Sequence, residues 1–422
     1  MLYFSKGSTN TVISTEELKI AIEIAIEKLG NKKNILIIPP DFTRFHSQAG
    51  LITQYLYKFY GNKIKDILPA LGTHFKINET ERKNMFGNIP DGLFRVHNWK
   101  EDLTTLGEVP KEYIYEVSEG KLNFPWLAQV NKLLAHGGHD LVFSVGQVVP
   151  HEVIGMANYN KNIFVGVGGK DGIHKSHYLG AVYGMERIMG RADTPVRKVL
   201  NYASDKYAKH LPIIYILTVI GKDDFNNLVI RGLYIGDDIE CFNLAAALSL
   251  EVNFIMLEKP LKKVVVYLDP HEFKSTWLGN KSIYRTRMAI EDNGELIVLA
   301  PGLSTFGEDK EIDKLIRKYG YKTSNEILSF VQNNSDIKNN LAAAAHLIHG
   351  SSENRFNVTY CTGNLNREEI EGVNFNYSPL NEMLDKYNPN KLVDGFNEIN
   401  GEEIYYISNP ALGLWASKNR FK

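Results

Sequence analysis

Between His151 and His177 the chain concentrates side chains able to transfer protons, form a covalent bond or bind a metal ion. His151 follows an apolar run and a proline, and Lys161 comes ten residues later. A glycine-dense turn at 166–172 follows, and His174 and His177 come after it. An imidazole takes or gives a proton near neutral pH, an amine can form a covalent link, and amides of a glycine-rich turn can approach a phosphate. The segment therefore predicts proton transfer beside a bound or tethered ligand.

Polar side chains also end three predicted strands, which predicted helices separate. The strand-like segments cover residues 34–39, 66–74 and 141–145. The first leads to Asp41 and Arg44, the second ends at His74, and the third leads to His151. This pattern is typical of an open α/β sheet with helices on both faces, in which ligands bind beyond the carboxyl ends of the strands. These four side chains are therefore expected to line one crevice.

Helix boundaries are also marked in the sequence. Ser14 and Glu17 have the spacing of a capping box before an apolar stripe, and Gly30 stands where such a helix should end. Asn78 and Glu81 repeat the capping pattern before another helix.

Length and composition limit the class of protein. At 422 residues, two domains are expected. With 48 basic and 49 acidic side chains, no overall field favours nucleic acid or a membrane surface. The two cysteines, Cys241 and Cys361, exclude a disulfide framework and indicate a reducing compartment. The first residues lack a signal-peptide pattern, and no apolar run approaches a transmembrane length, so a soluble cytoplasmic protein is expected.

The pattern of strands restarts near Lys259 and Pro260, which places a domain boundary there. The prediction is an N-terminal α/β domain at 1–258 and a smaller C-terminal α/β domain at 262–422, with a cleft between them. Several cationic side chains lie between two predicted strands of the second domain. They include Lys281, Arg285 and Arg287.

Several features leave alternatives open. Lys161 is either a surface charge or the site of covalent attachment or phosphate contact. Asp41 and Arg44 form either an internal ion pair or a site for a carboxylate or phosphate. The turn at 166–169 lacks the spacing of a dinucleotide fingerprint, so a standard Rossmann site is rejected. His174 and His177 could chelate a metal from one helical face, although structural zinc usually has four protein ligands.

The order and spacing of these residues resemble the nickel-dependent lactate racemase family. The resemblance rests on five matches over most of the chain. They are Asp41-Phe-Thr-Arg44, Gly72-Thr-His74, Pro150-His151, Lys161 and His177.

The resemblance implies a cofactor, the nickel-pincer nucleotide, which is pyridinium-3-thioamide-5-thiocarboxylic acid mononucleotide carrying nickel. It implies that a thioamide tethers this nucleotide to Lys161 and that His177 is the histidine ligand of the nickel. The other expected cofactor contacts are Asp41, Thr43, Gly168 and Gly169. The proteins that make the cofactor are then expected partners, and a homo-oligomer stays open.

The resemblance also implies the reaction, which is racemisation or epimerisation of a small 2-hydroxy acid by reversible hydride transfer to the cofactor. His74 and His151 would exchange protons with the substrate hydroxyl on opposite faces, a task that suits imidazole. Arg44 would contact the substrate. Further cationic contacts to the carboxylate are expected from Lys281, Arg285 and Arg287.

The chain departs from the family in two segments. The family's Phe-Ser-Gly-Gly segment before the lysine is replaced by Gly155-Met-Ala-Asn-Tyr-Asn, and the second-domain Gln and Lys are not cleanly present. An alignment on Ile283-Tyr284 places Arg285 and Met288 at those two positions. The changed polar set predicts a substrate other than lactate, such as a longer or more hydroxylated acid.

Two other functions fit the same residues. One is a zinc-dependent hydrolase or lyase built on His74, His151, His174 and His177. The other is a non-catalytic binder of sugar acids that keeps the fold but not the covalent tether at Lys161.

Overall fold

The computed structural model describes residues 1–74, 76–225 and 227–421. In chain order the strands are β1 (Leu2–Gly7), β2 (Ile35–Ile38), β3 (Ile64–Ile67), β4 (Leu103–Val109), β5 (Trp126–Asn131), β6 (Leu141–Gln147), β7 (Pro150–His151), β8 (Gly155–Met156), β9 (Ile213–Lys222), β10 (Leu228–Gly236), β11 (Phe254–Leu257), β12 (Leu261–Tyr267), β13 (Ile290–Ala300), β14 (Asn357–Thr362), β15 (Asn376–Tyr377), β16 (Gly395–Ile399), β17 (Glu402–Ile407) and β18 (Leu414–Ser417).

The α-helices are α1 (Thr15–Leu29), α2 (Ala49–Tyr60), α3 (Glu79–Phe86), α4 (Lys111–Val117), α5 (Lys132–His136), α6 (Lys170–Tyr183), α7 (Met185–Ile188), α8 (Pro195–Ala203), α9 (Ile239–Asn253), α10 (Thr276–Gly279), α11 (Lys281–Thr286), α12 (Lys310–Tyr319), α13 (Ser324–Asn333), α14 (Ser335–Lys338), α15 (Leu341–His349), α16 (Arg367–Gly372) and α17 (Leu380–Lys386). Short 3-10 helices cover Phe42–Ser47, Gly61–Lys63, Asp91–Leu93 and Pro410–Leu412, and π-helical turns cover Asn162–Gly166 and Ser204–Ala208.

The chain forms two compact units. The first contains Met1–Ser176 and Met189–Asn253, and the second contains His177–Ile188 and Phe254–Lys422. Each has its own six-stranded sheet with helices interleaved along the chain, which confirms the predicted α/β class. Within the described ranges, no helix is both long enough and apolar enough to cross a bilayer.

The sheet of the first unit has the order β1-β10-β9-β6-β2-β3. β3, β2, β6 and β9 are mutually parallel, while β10 and β1 are antiparallel to their neighbours. Apolar residues of β2 and β6 are fully buried and pack with those of α1 and α2. β2 is a continuous apolar run whose four residues are all buried, which is typical of a parallel strand with both faces covered.

Local sequence features set the helix ends of this unit. Ser14 accepts a hydrogen bond from the Glu17 amide, and the Glu17 carboxylate accepts one from the Ser14 amide. Asn78 and Glu81 form the same reciprocal pair before α3. Both predicted capping boxes are therefore confirmed, and α1 ends before Gly30 as predicted.

The strand predicted at 66–74 begins earlier and is shorter, since β3 covers Ile64–Ile67. Pro69 lacks the amide hydrogen that a regular ladder needs. The chain nevertheless stays beside β2, because the Leu68 amide bonds to the Ile37 carbonyl at 2.8 Å and the Ala70 amide bonds to the Pro39 carbonyl at 2.8 Å.

The sheet of the second unit has the order β15-β14-β13-β12-β17-β16. All neighbouring strands are parallel except β16, which is antiparallel to β17. Val265, Ile297 and Tyr406 belong to a buried cluster on one face of this sheet. β11 and β18 form a separate parallel pair.

Candidate functional site

Three adjacent parallel strands carry the polar residues of the first unit. β6, β2 and β3 are neighbours, so their carboxyl ends lie at one edge of the sheet. Asp41 follows β2, His74 follows β3, and His151 lies in the short strand β7 after β6. The sheet thus brings the ends that bear these three residues together, as the strand pattern predicted.

Asp41 and His74 are directly bonded. The Nδ1 atom of His74 is 2.5 Å from Oδ2 of Asp41, whose other oxygen accepts hydrogen bonds from the Thr43 amide at 2.9 Å and the Thr43 hydroxyl at 2.5 Å. Burial opposes ionisation of Asp41, but His74, Thr43 and Arg44 together hold the pKa of this carboxyl below its ordinary value. An ionised carboxylate only accepts hydrogen bonds. His74 therefore donates from Nδ1, and its Nε2 carries the lone pair when the ring is neutral.

The turn that carries His74 is fixed to the segment that follows Lys161. The His74 amide bonds to the Leu71 carbonyl at 2.8 Å, and the Gly72 amide bonds to the Gly166 carbonyl at 2.8 Å. Gly72 has φ +56°, a conformation that glycine adopts at little cost. These bonds hold the His74 turn against the π-helical turn that begins just after Lys161.

His151 is held by backbone contacts. It pairs with Gly155 in a short antiparallel ladder and is only 7% exposed. Its Nδ1 accepts a hydrogen bond from the Val153 amide at 3.1 Å, and Oε2 of Glu152 lies 3.9 Å from the same nitrogen. Because a neutral imidazole has one hydrogen, acceptance at Nδ1 assigns the hydrogen to Nε2. Glu152 was not predicted as a site residue, and only its position beside His151 would have suggested it.

Lys161 lies directly before the π-helical turn Asn162–Gly166. Burial, with a further contribution from the Arg44 cation, lowers the pKa of its amine to about 8, although Glu152 and Asp41 act in the opposite direction. Arg44 and Asp41 on the His74 side and Glu152 on the His151 side therefore influence one amine electrostatically. A lysine with this pKa has a substantial neutral, nucleophilic fraction near neutral pH.

The glycine turn before α6 is required by packing inside the first unit. A Cβ atom at Gly168 would lie 1.8 Å from the Phe164 carbonyl oxygen, and one at Gly169 would lie 2.3 Å from Oε1 of Gln129. His97 is buried beside this turn and donates from Nε2 to the Gly168 carbonyl at 2.9 Å. Burial lowers the pKa of His97, which favours the neutral ring. His97 follows neither a strand end nor a motif, so the sequence did not mark it as a support of the turn.

The other predicted site residues belong to the second unit. His177 lies on α6, on the same helical face as His174 three residues before it. Lys281 begins α11, and its amine lies 5.7 Å from the ring centre of Phe273. Lys281 therefore lies in the second unit, as its position after the predicted domain boundary implied, and His177 belongs to the same unit.

Arg285 and Arg287 are both buried within the second unit. The Arg285 guanidinium is 3.5 Å from the Gly413 carbonyl. Arg287 donates to Glu186 at 3.2 Å and to the Ser351 carbonyl at 3.2 Å. Arg287 thus takes part in an ion pair within its own unit, and the substrate contact predicted for it stays a prediction.

Across the described ranges, no group of three or more His, Cys, Asp or Glu side chains is arranged to hold a metal ion. Burial raises the pKa of both cysteine thiols, Cys241 and Cys361, to about 12. Both thiols are therefore protonated at neutral pH.

Comparisons with known proteins agree with the fold and with the resemblance. Residues 16–188 match the family model of the lactate racemase N-terminal domain. The structure is similar to the crystal structure of a Thermotoga maritima protein, with a TM-score of 0.81 and 23% identity over 96% of this chain and 98% of that one. It is also similar to the lactate racemase apoprotein from Thermoanaerobacterium thermosaccharolyticum, with a TM-score of 0.68 and 18% identity over 97% and 93% of the two chains. A comparison with curated protein sequences gives no match.

Proposed function

We propose that the protein is a racemase or epimerase of a 2-hydroxy acid that uses a nickel-pincer nucleotide, because residues 16–188 match the family model of the lactate racemase N-terminal domain. The observation that carries this proposal is the set of side chains at one sheet edge. An Asp41–His74 pair, a buried His151 and the Lys161 amine follow or adjoin the ends of adjacent parallel strands. Two imidazoles and an amine are the groups that the reaction requires.

The described residues suit the proposed cofactor. The pKa of about 8 at Lys161 keeps part of the amine neutral, and a neutral amine is the form that makes an amide-type link. α6 begins directly after the glycine turn, and the start of a helix favours a phosphate. The residues that would hold the cofactor are Lys161 as tether, His177 as nickel ligand, and Asp41, Thr43, Gly168 and Gly169 as contacts. When bound, the cofactor supplies an electrophilic carbon that accepts the substrate's Cα hydrogen as hydride.

His74 is the proton acceptor for one face of the substrate. Its Nδ1–H donates to Asp41, so the Nε2 lone pair can receive the hydroxyl proton. The imidazolium formed in that step lies beside the Asp41 carboxylate, which stabilises it electrostatically. Removal of the hydroxyl proton makes loss of the Cα hydrogen as hydride possible, because the oxygen can then form a carbonyl.

His151 acts on the opposite face of the substrate. In the hydrogen-bonded state observed, its neutral ring presents an N–H at Nε2 and can donate a hydrogen bond to the substrate oxygen. A cationic His151 has hydrogens on both nitrogens, so its Nδ1 could no longer accept from Val153. Proton delivery by His151 therefore requires the Val153 contact to open and close during turnover.

The substrate carboxylate needs cationic partners. Arg44 is partly buried beside Asp41, and a guanidinium can bind a carboxylate through two parallel hydrogen bonds. Lys281, Arg285 and Arg287 are proposed to add contacts from the second unit. Because the polar set there departs from the lactate racemase pattern, we propose a substrate that is longer or more hydroxylated than lactate.

The proposal is tested by expressing the full chain with and without cofactor biosynthesis proteins. Intact mass should show an adduct only in the co-expressed protein, and Lys161→Ala should abolish it. Lys111→Ala, at an exposed lysine of α4, should leave the adduct unchanged. The loaded protein should remove the optical rotation of at least one acid in a panel of chiral 2-hydroxy acids.

Two results would overturn the proposed function. One is a co-expressed protein without any adduct at Lys161 that still binds sugar acids, which is the behaviour of a non-catalytic binder. The other is stoichiometric zinc in protein expressed alone, together with hydrolase or lyase activity.

A further inference from the structure

The two residues before Asn160 have a backbone conformation that side chains rarely adopt. Asn158 has φ +65° and Tyr159 has φ +59°, both in the left-handed region. Glycine populates this region readily and asparagine tolerates it, but it is uncommon for an aromatic residue. Two such residues in succession, immediately before the Lys161 segment, require support from the surrounding structure.

Arg197 binds the backbone of this segment from α8. Its guanidinium donates to the Met156 carbonyl at 2.7 Å, to the Asn158 carbonyl at 3.3 Å, and to the side-chain oxygen of Asn160. Arg197 is only 1% exposed, and burial lowers its pKa, yet a guanidinium stays protonated at neutral pH. A buried cation whose acceptors lie within five consecutive residues fixes the path of those residues.

Aromatic packing supports the same conformation. The buried Tyr159 ring lies 4.3 Å from the Tyr215 ring and is stacked on Phe242 at 5.3 Å, measured between ring centres. The Arg197 guanidinium carbon is 4.1 Å from the centre of the Phe242 ring, a cation–π distance. Arg197 and Tyr159 therefore both pack against Phe242.

The residues on either side of Lys161 are anchored as well. Asn160 donates to Asn201 at 2.7 Å and to Ser204 at 3.2 Å, which ties it to the end of α8. Asn162 donates to the Ser144 hydroxyl of β6 at 3.3 Å. The backbone of Lys161 is thus held between α8 and the sheet.

We propose that Arg197 is a positioning residue for Lys161: it holds Asn158 and Tyr159 in the left-handed conformation and thereby determines where the amine lies. The chain uses a buried cation and aromatic packing at a place where glycine would adopt the same conformation without support. The consequence for catalysis rests on the proposed function, because Lys161 is the proposed tether. The placement of the amine itself does not depend on the cofactor.

The test measures the reactivity of Lys161 in the purified full chain without cofactor. Acetylation by acetic anhydride is followed from pH 6 to pH 11 by peptide mass spectrometry, with the exposed Lys111 as internal reference. In the parent protein the midpoint at Lys161 should lie at a pH of about 8. Arg197→Lys keeps the charge, but its single ammonium nitrogen cannot reproduce the contacts that two guanidinium nitrogens make, so the midpoint should rise toward the ordinary lysine value of 10.5.

A double variant distinguishes a loss of Lys161 positioning from a general loss of stability. Glycine at position 159 needs no clamp, so Tyr159→Gly combined with Arg197→Lys should return the midpoint toward 8. Arg231→Lys is the matched control, because Arg231 is also buried in the first unit and bonds to the carbonyls of Thr11 and Lys222. It should leave the Lys161 midpoint unchanged.

Three results would overturn the proposal: an unchanged midpoint in Arg197→Lys, an equal shift in Arg231→Lys, or no rescue by Tyr159→Gly. If circular dichroism shows that Arg197→Lys is unfolded, Asn160→Ala is used instead, since it removes one acceptor of the clamp. It should shift the midpoint in the same direction by a smaller amount, and no shift would contradict the proposal. Absence of racemase activity with these shifts intact would count against the proposed function alone.

Discussion

The two histidines that we propose as the acid–base pair are supported in opposite ways. The His74 side chain is 55% exposed, and its partner is the Asp41 carboxylate. The His151 side chain is 9% exposed, and its Nδ1 accepts a hydrogen bond from the Val153 backbone amide. A carboxylate stabilises a cationic ring, whereas an amide donor stabilises a neutral ring. Two histidines with mirrored roles in the reaction therefore have hydrogen-bond partners of opposite chemical character.

The difference between the supports of His74 and His151 can change kcat and KM only within limits. Two enantiomers have equal free energies, so a racemase must have the same kcat/KM in both directions at every pH. For two epimers, the ratio of the two kcat/KM values instead equals their equilibrium constant. Unequal supports can change kcat and KM separately, but only in compensating ways. The contrast between the two histidines is therefore tested by variants that change the surroundings of only one of them, with kcat and KM measured from each enantiomer.

The largest expected effect comes from removing either ring. His74→Gln and His151→Gln should each lower activity by about 10²–10⁴-fold in both directions, because general acid–base assistance has that magnitude. The measurement is loss of optical rotation by protein that carries the Lys161 adduct, checked by intact mass. A variant that keeps activity within about tenfold of the parent would show that its ring does not transfer the proton.

The second-largest expected effect comes from the carboxylates beside the two histidines, Asp41 and Glu152. Asp41→Asn should lower kcat by roughly 10²-fold, because the amide no longer stabilises the imidazolium or fixes the Nδ1–H tautomer of His74. Glu152→Gln should cost less, because its oxygen lies 3.9 Å from His151, beyond hydrogen-bond distance. Equal losses in the two variants would remove the proposed difference between the sides. Intact mass again controls for loss of the tether.

Local features of the site could be predicted from the sequence, and contacts between distant segments could not. The strand ends that present Asp41, His74 and His151 follow from apolar runs and from the geometry of parallel strands. The bond between Asp41 and His74 joins residues 33 positions apart. A sequence pattern has no period that links them, so the strand ends predicted that Asp41 and His74 are near each other but not that they are bonded.

The supports of the site are still less visible in the sequence. His97 and Gly168 are 71 positions apart, and Arg197 lies on a helix that carries no motif. The left-handed Tyr159 was unexpected because its type disfavours that conformation. The grouping of His177–Ile188 with the second unit depends on long-range packing and has no counterpart in the local pattern.

A smaller effect concerns Lys161, because Arg44 lowers its pKa and Glu152 raises it. Arg44→Gln removes a cation that lowers the pKa of Lys161, so the acetylation midpoint should rise above a pH of about 8. Glu152→Gln removes an anion that raises this pKa, so the midpoint should fall below the parent value. Arg231→Lys is again the control. Shifts of the same sign in the two variants would mean that loss of structure, and not charge, determines the reactivity of the amine.

The smallest effect is the pH dependence of stability on the Asp41 side. The pKa of Asp41 in the folded protein is below its ordinary value of 3.8, so its ionisation stabilises the fold at neutral pH, and this contribution is lost as the pH falls through the folded pKa. Urea unfolding should show a free-energy difference between the parent and Asp41→Asn that is larger at pH 7 than at pH 3. His74→Gln removes the partner of the carboxylate and should reduce the same pH dependence. If the difference between the parent and Asp41→Asn is the same at both pH values, the Asp41–His74 pair does not stabilise the ionised carboxylate, and the contrast with the backbone-held His151 loses its electrostatic basis.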